Sequence, residues 1–121
     1  MRDNASPAAP VLHQNRPNVF PLEGDIDLHV SPAVTESLDA MIKKKPKRMV
    51  VDLSRVTYID SAGVAALIVA MQDVEAYGGK FFLSSLQETL RLIFQTSRLD
   101  RTFRIFPDVD AALAASVRSR G

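Results

Sequence analysis

The chain has 121 residues, enough for one domain, and its 46% hydrophobic and 24% charged content is that of an ordinary globular protein. Fifteen Lys and Arg against fourteen Asp and Glu leave a formal charge of +1, which speaks against a nucleic-acid binder built on a broad basic surface. The lack of cysteine excludes a disulfide scaffold, a thiolate metal site and a cysteine nucleophile, and it fits a reducing cytoplasm.

Residues 1–18 carry three of the seven prolines and little apolar periodicity, so they predict a flexible N-terminal tail ahead of a domain over residues 19–116. His13, within that tail, reads as solvated. Val19, Phe20 and Leu22 predict a first strand that exits through residues 23–27; Pro21 removes a backbone donor and makes this strand an edge or an irregular one. Ser31-Pro32 predicts a helix start, with serine at the cap and proline at the first helical position. Val34, Leu38, Met41 and Ile42 continue it as one apolar stripe. The basic run 43–48 ends that helix and reads as a solvated loop; its letters also fit a nuclear-localisation signal, a match common by chance.

Residues 49–53 predict a short central strand and residues 54–60 a linking segment, with Val56, Tyr58 and Ile59 adding apolar contacts. Ser61 is expected to cap the next helix, whose Val64, Leu67, Ile68, Met71 and Val74 keep helical spacing until Gly78-Gly79 stops it. A strand over 80–83, a helix over 87–97 with Leu90, Ile93 and Phe94 on one face, and a short strand over 103–106 follow. Asp108 then caps a last helix carrying Val109, Ala112, Leu113 and Ser116, and residues 117–121 form a short C-terminal tail. Strands and helices thus alternate, which predicts an α/β domain with a mainly parallel sheet joined by right-handed crossovers.

No catalytic constellation emerges. Residues 59–63, Ile-Asp-Ser-Ala-Gly, superficially resemble a nucleophile elbow, but the first glycine is missing and no histidine follows His29. Asp60 is too weak a base at neutral pH to replace one. The two histidines form no metal-binding pair, and Asp25 with Asp27 reads as a solvated strand exit. Gly78-Gly79-Lys80 lacks the rest of a phosphate loop, since Phe81 stands where Ser or Thr is needed. The chain reads as non-enzymatic, with no cofactor or metal. No apolar run approaches the ~18 residues of a membrane span, and residues 1–10 lack the apolar region of a secretory signal, which together predict a cytoplasmic protein.

Ser61 carries the remaining chemistry. A serine at a helix start lies beside unpaired N–H groups and the positive end of the helix dipole. Capping alone would explain it; a phosphoryl group on the hydroxyl would also be tolerated there, while repelled by Asp60 and by Asp27 if that folds nearby. Residues 50–64, Val-Val-Asp-Leu-Ser-Arg-Val-Thr-Tyr-Ile-Asp-Ser-Ala-Gly-Val, resemble the core motif of STAS domains, specifically bacterial anti-sigma factor antagonists. Glu23-Gly24-Asp25-Ile26-Asp27 is similar to that family's earlier strand-end motif, and Gly78-Gly79-Lys80 to the segment after its long helix. The resemblance covers roughly residues 19–115.

It implies a four- or five-stranded, mostly parallel or mixed sheet with about four helices packed against it, and a role in partner switching. In such systems the unphosphorylated antagonist binds an anti-sigma factor that is also a serine kinase; phosphorylation of the serine matching Ser61 weakens the complex, and a phosphatase resets it. By the same match, Asp27 is the acidic residue near the phosphorylation site. Ala62, Gly63 and Val64 form the helix start of the docking surface, where small residues would let a partner backbone approach. An alternative implied role is an accessory subunit of a lipid-transport ATPase or a stress-signalling assembly, docking through the same surface with no phosphorylation cycle. An enzyme or small-molecule binder is the third class. Arg91, Arg98, Arg101 and Arg104 read as a solvated helix face or as a contact for an acidic partner.

Overall fold

The computed structural model describes residues 16–115. Most of the predicted N-terminal tail with His13, the 117–121 tail and Ser116 lie outside the described residues. The elements follow in the order β1 (Val19–Ile26), α1 (Ser31–Ile42), β2 (Arg48–Ile59), α2 (Ser61–Ala76), β3 (Lys80–Ser84), α3 (Glu88–Thr96), a 3-10 turn (Leu99–Arg101), β4 (Arg104–Phe106) and α4 (Val109–Ala114). The four strands form one sheet in sequence order, every pair parallel. The alternation predicted from the sequence is therefore the observed α/β architecture.

Burial on both sides explains why Met49, Val50 and Val51 form an unbroken apolar run. Met49, Val51 and Leu53 enter the larger core with Val34 and Leu38 of α1, Leu67 and Val74 of α2, and Leu90 and Phe94 of α3. Val50 points to the other face, where it meets Val19, Phe82 and Ala112. That face is covered by α4, a helix of six residues held at both ends. Asp108 accepts from the Ala111 N–H at 2.7 Å, and the Arg48 guanidinium donates to the carbonyls of Leu113 and Ala115.

Pro21 stands in the edge strand β1, and the pairing with β2 slips between Pro21 and Glu23, so the strand is both edge and irregular as predicted. Two expectations are corrected. The segment 54–60 is not a linker up to its end: β2 continues through Ile59, because Glu23–Ile26 of β1 pair with Arg55–Ile59 and bury Val56 and Ile59. Ser31 is not the cap of α1 either; Val30 holds that position without a side-chain bond. The turn before α1 is shaped by Asp27, whose Oδ1 accepts from the N–H groups of His29 (3.0 Å) and Val30 (3.3 Å). Gly78 ends α2 at φ +90°, the left-handed geometry expected of it.

Candidate functional site

Ile26 and Ile59 face each other across the β1–β2 ladder. The residues that follow, Asp27 and Asp60, therefore leave the sheet side by side, at the carboxyl ends of parallel strands where α/β domains place their sites. Asp60 is the single residue between β2 and α2, and its extended backbone makes it the helix cap. One carboxylate oxygen accepts from the Gly63 N–H at 3.0 Å. The other accepts from the Leu28 N–H at 3.1 Å, and the Asp60 N–H donates to the Ile26 carbonyl at 3.2 Å. One side chain thus joins the start of α2 to the β1–α1 loop.

This corrects the expectation that Ser61 caps α2. Aspartate caps a helix as well as serine does, and it stands one residue nearer the strand. Ser61 becomes the first helical residue, with an exposed side chain that the cap does not require. Asp27 is half-buried, and its carboxylate is engaged with the N–H groups of its own loop. Its structural effect is to fix the turn that presents Leu28, whose side chain is 70% exposed.

The three residues after Ser61 divide. Ala62 and Val64 are half-buried, whereas Gly63 is buried. A Cβ on Gly63 would stand 2.5 Å from the Ile26 carbonyl oxygen and 2.7 Å from Ile59 Cγ1. The glycine's smallness is used inside the domain, to seat the first turn of α2 on the end of β1. Beside Ser61 opens a cleft of about 340 Å³. Its near wall is Ile59, Asp60, Ser61, Val64, Ala65 and Ile68; Ile93, Ser97 and Leu99 form the far wall. Leu28 and the far wall were not found from the sequence. Leu28 left no distinguishing signal, because Ile26, Leu28 and Val30 alternate with Asp27 and His29 in the period of a half-buried strand.

The late arginines do not form one helix face. Arg91 lies on α3, and Arg98 precedes the 3-10 turn in a left-handed conformation at φ 61°. Arg104 sits across the sheet, over the rings of Phe82 (5.1 Å) and Phe106 (5.6 Å). Among the described residues no group of three or more His, Cys, Asp or Glu could hold a metal ion, and no helix is long and apolar enough to cross a membrane.

Asp60→Ala should cost about 1–2 kcal/mol of stability through loss of the cap, since N-cap replacements by alanine fall in that range. It should also release the Leu28 loop. Thermal unfolding measures the first effect, and faster amide exchange at Leu28 and Gly63 the second; retained protection at Leu28 would contradict the bridge.

Adjacent parallel strand ends, a carboxylate clamp and an exposed hydroxyl beside a cleft thus meet at one end of a small α/β domain. The chain belongs to the STAS domain family, which it matches over residues 8–112. It is 28% identical over 103 residues to the anti-sigma-F factor antagonist RsfB of Mycobacterium tuberculosis, covering 85% of this chain and 84% of that one. It is 27% identical over 82 residues to the anti-sigma-B factor antagonist of Listeria monocytogenes, covering 68% and 72%. The crystal structure of an anti-sigma factor antagonist from Mycobacterium paratuberculosis shares the fold, with a TM-score of 0.75 at 24% identity over 88% of this chain and 91% of that one.

Proposed function

We propose that the chain is an anti-sigma factor antagonist whose binding is switched by phosphorylation of Ser61. The names of its relatives support the general role. The observation that carries the switch is the exposed Ser61 hydroxyl, released from capping by Asp60 at the head of a 16-residue helix. In this reading the unphosphorylated face, formed by Leu28, Ser61, Ala62 and Val64, binds an anti-sigma factor that is also a serine kinase. A sigma factor is thereby freed, in the cytoplasm.

The kinase transfers the γ-phosphoryl group of ATP to Ser61 Oγ, with the hydroxyl proton lost and ADP released; ATP and its magnesium belong to the kinase. The added charge of about −1.5 to −2 meets the Asp60 carboxylate next door and a partner face shaped for a neutral hydroxyl. The helix terminus tolerates that charge, so the surface field changes without refolding. A phosphatase restores the binding form. Asp27 and Asp60 set the local negative field around the hydroxyl, and this chain works as a regulatory binding module.

The test is incubation with a candidate anti-sigma kinase and labelled ATP. Wild type should take up close to one phosphate per chain and Ser61→Ala none. Undiminished labelling of the alanine variant would sink the assignment of Ser61.

A further inference from the structure

The switch makes no use of the basic run after α1. All five lysines of the chain, Lys43, Lys44, Lys45, Lys47 and Lys80, fall at the end of the sheet remote from Ser61. Four occupy the α1–β2 turn; Lys80 opens β3 and donates its backbone N–H to the Lys47 carbonyl at 2.9 Å. None of the five is ion-paired to a carboxylate among the described residues. Because the whole chain carries only +1, these lysines make a positive pole on an otherwise net acidic protein.

A cleft of about 440 Å³ opens in this pole, walled by Lys45, Lys47, Tyr77, Gly78 and Gly79. Its glycine side is bare backbone. At Gly78 nothing lies within 4 Å of where a Cβ would stand, and at Gly79 a Cβ would come within 2.8 Å of Val74 and Tyr77. The Tyr77 ring is fixed by its hydroxyl, which donates to the Pro46 carbonyl at 2.7 Å. The result is a concave surface with lysines on either side of Pro46, whose carbonyl holds the Tyr77 hydroxyl.

We propose that this cleft docks an extended acidic segment of a protein partner, its carboxylates read by Lys45 and Lys47. The concavity and the charge select that occupant. A bilayer is flat and is held by apolar anchors, yet among the described residues the exposed large apolar ones, Leu28, Tyr58, Val69 and Leu92, stand elsewhere. Single-stranded nucleic acid is held by stacking on exposed aromatic rings, whereas the only ring here is tethered and half-buried. The sixteen residues of α2 put about 24 Å between Ser61 and Tyr77. An acidic segment can therefore stay bound while the Ser61 face exchanges partners, so the cleft is a tether independent of the phosphorylation state.

Lys43 provides the internal control. It lines a different groove, with Glu36, Asp39 and Asp73, so its charge is offset locally. The probe is a fluorescein-labelled hexaglutamate peptide, with hexaglutamine as the uncharged comparison, followed by fluorescence anisotropy. Wild type should bind the glutamate peptide only, with affinity falling about tenfold between about 50 and 200 mM salt. Lys45→Gln with Lys47→Gln should weaken binding at least about tenfold, and Lys43→Gln with Lys44→Gln, the same change in charge, less than about threefold. Amide shifts of the wild type should centre on Gly78 and Gly79. Ser61→Asp should leave the affinity unchanged, which keeps this test separate from that of the switch. Equal losses in the two lysine pairs would reduce the cleft to diffuse attraction. Absence of peptide binding at the lower salt, or binding to phosphatidylglycerol vesicles in its place, would overturn the proposal.

Discussion

Replacing Gly63 with alanine should destabilise the domain by about 2–3 kcal/mol, although the same change in an exposed helix stabilises by about 1 kcal/mol. The reversal of sign follows from the contact beneath. The new Cβ would lie 2.5 Å from the Ile26 carbonyl oxygen, a backbone atom at the end of a strand that cannot rotate away, and 2.9 Å from Ile26 Cγ2. Relief requires α2 to lift from β1, which stretches the two bonds Asp60 makes to Gly63 and Leu28. For a domain of this size the loss is roughly 10–20 °C in Tm by thermal unfolding. Gly63→Val should leave little folded protein. An alanine variant as stable as wild type would mean that the helix start does not sit on β1 as described. Because Ser61 rides on the same turn, a destabilised Gly63→Ala protein should also bind its partner less well in both phosphorylation states.

The fold was legible because its strongest signals are local. Met49, Val50 and Val51 in unbroken succession mark a strand buried on both faces, and Gly78-Gly79 and Asp108 mark helix ends that need no tertiary information. The outer half of β2 was not legible, since Ser54, Arg55 and Thr57 interrupt the apolar pattern; the pairing of Arg55–Ile59 with β1 outweighs local preference there. The cap of α2 was ambiguous for a related reason. Asp60 and Ser61 are both good caps, and the choice is settled by where β2 ends and by the second bond from Asp60 to the Leu28 N–H.

The site divides along the same line. Asp60, Ser61 and Gly63 are contiguous, so a short motif exposes them, although it could not say that Gly63 faces inward. Leu28, Ile93, Ser97 and Leu99 reach the surface around Ser61 only through the closure of the sheet and the placing of α3 beside α2. No spacing in the chain encodes that meeting.

A phosphate on Ser61 should produce the largest functional effect, a loss of affinity for the anti-sigma partner of about 100-fold or more, equivalent to about 3 kcal/mol. Two unit charges about 5 Å apart interact by about 3 kcal/mol at the effective dielectric of a protein surface, so one unfavourable pairing suffices. Leu28→Ala should weaken the same complex about tenfold for a different reason. Leu28 is 70% exposed in the free domain, and its backbone N–H is held by Asp60, the residue before Ser61, so under the proposed function it would offer the partner an apolar contact. Burying a leucine is worth about 1.5–3 kcal/mol. Salt separates the two contributions: the phosphate effect should shrink between about 50 and 500 mM salt as surface charges are screened, while the Leu28→Ala effect stays constant. Ser61→Asp, with one charge and a shorter reach, should fall between wild type and the phosphorylated protein. Affinities measured by titration calorimetry on phosphorylated and unphosphorylated forms of each variant complete the comparison. Unchanged binding after stoichiometric phosphorylation would reject charge as the switch, and unchanged binding in Leu28→Ala would place the partner away from the β1–α1 loop.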